Sequence, residues 1–216
     1  MLFDIDGTLA DTDALHVEAF NRIFGSRGHV FDRARAAKEL MGFSTASLAE
    51  RFLPDETPER QAAIMDEKEA LFRKLVSGKV QPVPGLMTLL AFADRAGIPM
   101  VAVTNAPRLN AEMLISGLGI MDRFKAIVIG DELAHGKPHP LPYLEGLRAV
   151  NADAGLSVAF EDSRSGIASA SAAGIATVGI RSSLSHAELV AAGALLTVAS
   201  FDDPELMKLI AATMGW

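Results

Sequence analysis

An acidic cluster near the start of the chain has the residue types and the spacing to bind a cation. The segment Asp4–Thr8, which reads Asp-Ile-Asp-Gly-Thr, follows the apolar residues 2–3. Side chains two apart on a strand share a face, so Asp4 and Asp6 can point at one site. Two close carboxylates repel each other unless a cation lies between them, and hard oxygen ligands suit Mg²⁺. Gly7 and Thr8 would then offer backbone N–H groups and a hydroxyl to an anion.

Two other interpretations of this cluster are a plain acidic turn and a calcium loop. A calcium loop requires Gly at its sixth position and Glu at its twelfth. Counting from Asp4, these positions hold Leu9 and Leu15. The spacing therefore excludes a calcium loop, and the acidic turn remains open.

Three later motifs carry further polar groups of the same kind. Thr104-Asn105 and Glu161-Asp162 each follow an apolar run, and Lys137 lies in a loop that two prolines stiffen. Taken singly, Thr104-Asn105 is also typical of a helix N-cap, and Lys137 of a solvated surface charge. Two acids at the end of an apolar strand are costly unless they bind a cation.

The elements that must position these groups are strands and helices in alternation. Short apolar runs predict strands at Leu2–Ile5, Ile98–Val103, Ala126–Ile129, Val158–Phe160, Ile175–Ile180 and Leu195–Val198. Stop and start signals predict helices over Gly85–Ala96 and Ser163–Ala173, and others that open at Ser185 and Asp203. Such repeats favour a three-layer α/β core with a parallel sheet, and ligands bind at the carboxyl ends of its strands.

Residues 13–82 break this alternation, because no strand pattern occurs there. The apolar stripe Leu15, Ala19, Phe20, Ile23 and Phe24 predicts one helix, and Thr57-Pro58 opens a long one that closes near Gly78. The stiff segment Pro82–Gly85 ends the stretch. We therefore expect an all-helical domain inserted after the first strand.

Composition and charge narrow the partners. The 216 residues have a net charge of −7, no basic run and no Cys, which argues against nucleic acid, disulfides and thiolate chemistry. The longest apolar stretch, Leu189–Ala199, is too short for a membrane span. The acidic N-terminus is not that of a signal peptide, so a cytoplasmic location is expected. Only three residues precede Asp4, so the chain is either trimmed or begins unusually close to this motif.

The four motifs, in this order and at these separations, resemble those of the haloacid dehalogenase-like superfamily. They span most of the chain, and the helical stretch lies where that superfamily places a C1-type cap. The resemblance implies a Rossmann-like core formed by residues 1–12 and 83–216, with a cap formed by residues 13–82. By analogy, the strands lie in the order 175–180, 158–160, 2–5, 98–103 and 126–129, with the strand near 195–198 at one edge.

The resemblance also implies roles for the motif residues. Asp4 would be a nucleophile that forms an aspartyl-phosphate, and Asp6 a general acid and base. Thr104 and Lys137 would hold phosphoryl oxygens, with Asn105 a further substrate contact. Mg²⁺ would be bound by the carboxylates of Asp4 and Asp162 and by the backbone carbonyl of Asp6, with Glu161 in support. Dehalogenases and phosphonatases lack an acid at the position of Asp6, so a phosphatase or a phosphomutase remains.

Residues of the cap decide between these two activities. His16 and Lys68 resemble a His and a Lys of β-phosphoglucomutase, although both are also typical of solvated helix positions. Thr45 aligns with an Arg that grips the second phosphate in that mutase, and Gly42 in the same stretch is a further candidate contact. Thr cannot supply a charge-assisted fork, so we expect hydrolysis of a small phosphate monoester. The partner would be a phosphorylated metabolite such as a sugar phosphate or a phosphoglycolate-like compound.

A mutase and a catalytically silent, metal-binding relative remain the alternatives. No pattern in the sequence indicates an oligomeric state.

Overall fold

A computed structural model describes residues 1–215 as a parallel sheet surrounded by helices. Within these residues there are six strands, namely β1 (Leu2–Phe3), β2 (Met100–Thr104), β3 (Phe124–Ile129), β4 (Val158–Glu161), β5 (Ala176–Ile180) and β6 (Leu196–Val198). They lie in the order β3-β2-β1-β4-β5-β6, and every pair is parallel. The predicted order of strands is therefore confirmed.

The first strand is two residues shorter than predicted. It ends at Phe3, although the backbone N–H of Asp4 still donates to the Phe160 carbonyl across 3.0 Å. The Ile5 carbonyl instead accepts from the backbone N–H groups of Thr8 and Leu9 in the turn that follows. The turn begins where the chain leaves the sheet, and it carries the first acidic motif beyond the sheet edge.

The sheet is buried on both faces, because successive strand residues contribute to different apolar clusters. Phe3 and Ala102 belong to one cluster, while Leu2, Val101 and Val103 belong to another. Strand side chains alternate between faces, so the two clusters form the two boundaries of a three-layer core. This architecture is the α/β, Rossmann-like core that the sequence predicts.

The described residues form ten α-helices in addition to the sheet. They are α1 (Asp13–Phe24), α2 (Arg33–Glu39), α3 (Thr45–Phe52), α4 (Pro58–Val76), α5 (Leu86–Arg95), α6 (Arg108–Gly117), α7 (Leu141–Ala149), α8 (Arg164–Ala172), α9 (His186–Ala192) and α10 (Pro204–Met214). The predicted start signals hold: Ser185 and Glu188 form a capping box on α9, and Asp203 caps α10 with Pro204 in its first turn. None of these helices has the length and apolarity that a membrane span requires.

Helices α1 to α4 form a helical insert (residues 13–82) that has an apolar cluster of its own. This cluster includes Phe20, Phe24, Phe31, Phe52 and Ile64, all of which are buried. The ends of the insert meet, because the backbone N–H of Val83 donates to the Leu9 carbonyl across 3.0 Å. A separate apolar cluster is typical of a unit that folds around its own core.

Candidate active site

A pocket of about 70 Å³ lies between the carboxyl ends of the central strands and the helical insert. It brings together most of the residues that the sequence predicts for the site. The lining includes Asp4, Asp6, Thr104, Asn105, Lys137 and Asp162 from the sheet side, and His16, Gly42 and Lys68 from the insert. The pocket therefore gathers residues from the loops at the strand ends and from two helices and one loop of the insert.

Lys137 links the first and last acidic motifs. Its Nζ donates to Asp4 Oδ1 at 2.6 Å, to Glu161 Oε1 at 2.5 Å and to the Val103 carbonyl at 2.7 Å. Lys137 and Glu161 are buried, and the two carboxylates hold the pKa of Lys137 above its ordinary value against the effect of burial. The lysine therefore stays charged and is not the solvated surface residue that a lone Lys usually is.

Glu161 has a second donor that the sequence analysis missed. The Tyr143 hydroxyl, on α7, donates to Glu161 Oε1 at 2.7 Å, and the tyrosine is fully buried. Ser163 Oγ donates to the other carboxylate oxygen at 3.2 Å. Glu161 is thus held rigidly in the layer beneath the pocket, which it does not line.

Asp162 carries the carboxylate that faces the first motif. It accepts from Ser182 Oγ at 2.9 Å and from Thr8 Oγ1 at 3.5 Å. Gly7 has a φ of 74°, and a Cβ there would lie 2.1 Å from Asp162 Oδ2. Gly7 is therefore required for the close approach of Asp162 to the turn, as well as for the left-handed backbone.

Gly7 and Thr8 do not line the pocket themselves. Their backbone N–H groups donate to the Ala10 and Ile5 carbonyls, and the Thr8 hydroxyl donates to Asp162. These N–H and hydroxyl donors stabilise the turn in this structure, whereas the sequence motif predicts that they face an anion. Their contact with the pocket is through Asp162.

The acidic cluster has more negative charge than its single lysine neutralises. One carboxylate oxygen each from Asp4, Glu161 and Asp162 lies within 4.8 Å of the others. Burial raises the pKa of Asp4 and of Asp162 well above the ordinary value, and the negative charges around Asp162, Asp13 foremost, raise it further. Oxygen ligands that are buried with surplus negative charge fit a small, hard cation such as Mg²⁺.

Thr104 and Asn105 are presented at the end of β2 and do not cap the next helix. Helix α6 begins at Arg108 with Pro107 at its N-cap position, while Thr104 Oγ1 accepts from the Ala106 backbone at 3.0 Å. Asn105 exchanges hydrogen bonds with the Lys137 backbone at 2.9 and 3.0 Å. Both residues are therefore available to shape the pocket and the lysine loop.

Gly42 joins the insert to the sheet side of the site. Its carbonyl accepts from Asn105 Nδ2 at 3.0 Å and from Ser165 Oγ at 2.7 Å. Its φ is 79°, and a Cβ there would lie 2.5 Å from Ser163 Oγ. The glycine thus permits a close contact between the insert and the core at the rim of the pocket.

Asp6 forms a chain of contacts with the helical insert. Its Oδ1 accepts from Thr12 Oγ1 at 2.6 Å and lies 3.1 Å from His16 Nε2, while His16 Nδ1 lies 3.0 Å from Lys68 Nζ. Lys68 can only donate, so His16 accepts at Nδ1 and donates through Nε2 to Asp6. Burial opposes the charge on Asp6, yet His16, Thr12 and Lys68 together hold its pKa below the ordinary value.

Lys68 is buried, so its interpretation as a solvated helix residue is wrong. Its Nζ lies 4.3 Å from the centroid of the Phe20 ring and donates to Glu69 Oε1 at 2.9 Å. His16 is likewise stacked on Phe72, with ring centroids 3.7 Å apart. Aromatic faces and one carboxylate thus replace water around the ammonium group.

Glu69 and Asn110, which also line the pocket, were absent from the sequence prediction. Asn110 Nδ2 donates to Glu69 Oε2 at 2.7 Å, and Arg73 Nη1 donates to Asn110 Oδ1 at 2.8 Å. A third residue that lines the pocket, Asp13, is buried and accepts from the Ser183 hydroxyl. Of the three, only Asp13 stands near a motif, and no spacing rule marks Glu69 or Asn110.

Comparison with known proteins adds a family to this geometry. The sequence profile of the haloacid dehalogenase-like hydrolases matches residues 1–180. Protein CbbY of Rhodobacter capsulatus is 33% identical over 82% of this chain and 83% of its own. Validoxylamine A 7'-phosphate phosphatase of Streptomyces hygroscopicus subsp. limoneus is 31% identical over 90% of this chain and 91% of its own.

A solved structure superposes over nearly the whole molecule. It is that of a CbbY mutant from Rhodobacter sphaeroides in complex with xylulose-1,5-bisphosphate. The TM-score is 0.80 with 31% identity, and the match covers 94% of each chain. The fold is therefore similar to that of a relative whose structure holds a sugar bisphosphate.

Proposed function

The chain belongs to the haloacid dehalogenase-like hydrolases, and we propose that it is a Mg²⁺-dependent phosphatase of a small phosphate monoester that acts through an aspartyl-phosphate. Relatives that include a named phosphatase support its class, a phosphoric monoester hydrolase. One geometric observation carries the proposal. The Asp4 carboxylate lines the pocket beside a buried, charged Lys137 and a second carboxylate, Asp162.

Asp4 would perform the first chemical step. One carboxylate oxygen attacks the phosphorus, the bond from phosphorus to the ester oxygen breaks, and Asp6 gives its proton to that oxygen. Lys137 neutralises negative charge at Asp4, which an anionic nucleophile needs before it can approach a phosphate. Splitting the transfer into two displacements is the general advantage of a covalent intermediate.

Asp6 would control the protons in both steps. The contact with His16 keeps it ionised in this structure, and the approach of a phosphate dianion raises a carboxyl pKa and so favours the protonated form that the first step needs. In the second step the Asp6 carboxylate takes a proton from water, which attacks the phosphorus and breaks its bond to Asp4. Phosphate leaves and the Asp4 carboxylate is restored.

The residues that would hold Mg²⁺ are Asp4, Asp162 and the backbone carbonyl of Asp6, with Glu161 in support. The surplus of buried carboxylates at this place fits the cation. When bound, the metal would neutralise charge on the phosphoryl oxygens and on the nucleophile. Ser182 and Gly7 would orient Asp162 for this role.

We also propose that residues 13–82 act as a cap domain on a core formed by residues 1–12 and 83–216. The separate apolar cluster of the insert supports this division. His16, Gly42 and Lys68 line the pocket from the insert, so its position decides whether the pocket is complete. Closure would exclude water during the first step, and opening would admit it for the second.

A phosphomutase is the second candidate, and the contact of Lys68 with His16 favours it. Incubation with β-glucose 1-phosphate and catalytic β-glucose 1,6-bisphosphate separates the two activities. We expect free phosphate to form faster than glucose 6-phosphate. The opposite order would identify the mutase.

Release of phosphate from p-nitrophenyl phosphate tests the proposal as a whole. We expect turnover with Mg²⁺, none in EDTA, and recovery when Mg²⁺ is restored; Ca²⁺ should substitute poorly. Asp4→Asn should lower turnover by more than about 1,000-fold because it removes the nucleophile. It should leave the melting temperature equal or higher, since it also removes a buried carboxylate. Wild-type rates in Asp4→Asn would refute the covalent step, and absence of turnover under all conditions would indicate a silent relative.

A further inference from the structure

The cations that line the pocket are already neutralised by the protein. Lys137 is paired with Asp4 and Glu161, and Lys68 is paired with Glu69. No arginine lines the pocket within the described residues. On the side of the insert, the residue next to Lys68 that lines the pocket is Glu69, which carries a carboxylate and not a cation.

A second acid, Asp131, lies near the start of α3 and outside the residues that line the pocket. The backbone N–H of Thr45, the first residue of α3, donates to the Asp131 carboxylate. The backbone N–H of Ser47, on the same helix end, donates to Ser44 Oγ at 3.2 Å. Glu69 is close enough to Asp131 to raise its pKa, after the larger effect of partial burial. Asp131 therefore adds negative charge near Glu69, which itself lines the pocket.

Glu69 and Asn110 nevertheless form a good surface for neutral polar groups. The carboxylate of Glu69 accepts from Asn110 Nδ2, and the amide carbonyl of Asn110 accepts from Arg73. Carboxylate oxygens have several lone pairs, so Glu69 can accept from a hydroxyl in addition to its present donors. Such an arrangement is typical of sites that bind the hydroxyl groups of a sugar or another polyol.

We propose that Glu69 restricts this enzyme to substrates that carry a single phosphate and a neutral, hydroxylated far end. The inference rests on the proposed phosphatase function and concerns the substrate class of the same site. The transferred phosphate lies against Lys137 and Asp4, and the hydroxyl groups face Glu69 and Asn110. A bisphosphate is rejected, because its second phosphate would meet the Glu69 carboxylate in a pocket whose lysines, Lys68 and Lys137, are already paired with carboxylates.

Binding of a matched pair of probes tests the inference. Fructose 1-phosphate and fructose 1,6-bisphosphate differ only in the second phosphate. Their dissociation constants are measured by calorimetry with Mg²⁺ on the Asp4→Asn protein, which does not consume them. We expect the monophosphate to bind roughly 100-fold more tightly. Equal or tighter binding of the bisphosphate, or binding of neither sugar, would overturn the inference.

A charge-removing variant assigns the effect to Glu69. Glu69→Gln keeps the size of the side chain and a carbonyl for Asn110, and it should reduce the preference for the monophosphate by about tenfold. Glu67→Gln is the matched control, because it removes the same charge from an exposed position of the same helix, and it should leave the preference unchanged. Equal effects of the two variants would contradict the assignment to Glu69.

Hydrolysis of p-nitrophenyl phosphate by the wild-type enzyme keeps the two proposals apart. This probe has no far phosphate, so its turnover reports only on the proposed function. Turnover together with a preference for the bisphosphate would refute the inference and leave the phosphatase standing. Absence of turnover together with the expected binding preference would refute the phosphatase alone.

Discussion

Tyr143→Phe removes one hydroxyl from the layer beneath the active site and changes nothing else in shape. The hydroxyl donates to Glu161 Oε1 at 2.7 Å, and both residues are fully buried. Phe fills the same space, so no cavity arises. The carboxylate loses one of the donors that stabilise its charge, and water cannot replace it at this depth.

The structure sets the size of the expected effect. A hydrogen bond to a charged group contributes about 1.5–3 kcal/mol to stability. Removal of the hydroxyl should therefore raise the unfolding constant about 10- to 150-fold. At about 2–4 °C per kcal/mol for a chain of this size, the melting temperature should fall by about 3–12 °C.

Urea unfolding followed by circular dichroism measures this loss, with Thr177→Val as the matched control. Thr177 is also buried, but its hydroxyl donates to a neutral carbonyl, that of Ile175, at 2.9 Å. That variant should lose only about 0.5–1.5 kcal/mol. A double-mutant cycle with Glu161→Gln completes the design, because Tyr143→Phe should cost clearly less once the acceptor is neutral.

Two results would refute this reasoning. In the first, Tyr143→Phe lowers the free energy of unfolding equally in the wild-type background and in the Glu161→Gln background, which would show that the charge of the acceptor is irrelevant. In the second, Tyr143→Phe lowers the free energy of unfolding no more than Thr177→Val does, which would show the same. Either result would mean that the Tyr143 hydroxyl does not stabilise the charge of the Glu161 carboxylate.

Two further predictions concern the acidic cluster. The pKa values of Asp4 and Asp162 are raised, so at these groups the folded, metal-free protein binds more protons than the unfolded chain does. Their contribution to stability in EDTA should therefore fall as the pH rises above the ordinary value of 3.8 and through the raised values. Asp6, whose pKa is lowered, acts in the opposite sense only below 3.8, whereas burial lowers the pKa of the N-terminal amine from 8.0 to about 5 and makes that group stabilising as the pH rises between these values. In thermal melts between about pH 5 and 8, the wild type should therefore lose stability relative to Asp162→Asn, which has the same N-terminus, and a gain relative to this variant would contradict the raised pKa of Asp162. Gly7→Ala should cost at least about 1–2 kcal/mol for its left-handed backbone and should also weaken Mg²⁺ binding, because its Cβ would displace Asp162. Gly28→Ala is the control, with a φ of 83° and open space around the added Cβ, and it should lower the melting temperature without affecting a Mg²⁺ titration.

Local sequence patterns were sufficient for the sheet and for the position of the acidic motifs. Apolar runs predict strands, and parallel strands present their carboxyl ends at one edge. Asp4, Thr104 and Glu161-Asp162 therefore meet near this edge wherever the exact strand boundaries lie. The boundary of β1 itself was predicted two residues too long, because the turn that captures the Ile5 carbonyl has no apolar signature.

The surroundings of Lys68 were decided only by the tertiary structure. Its place on a helix favours a solvated side chain, since lysines are common on helix surfaces. In the folded chain it lies against the Phe20 ring and pairs with Glu69, next to His16. Burial of a helical lysine depends on which helices pack against that face, and the spacing of residues along α4 does not contain this information.

The sequence by itself determined which chemical groups stand at the carboxyl ends of the strands, because strand periodicity and chain order act over a few residues. The tertiary structure decided which distant side chains support and surround those groups. Tyr143 reaches Glu161 from α7, and Glu69 meets Asn110 across the boundary between insert and core. These contacts form only when separate elements pack, and their energies arise from burial and hydrogen bonding that no local pattern encodes.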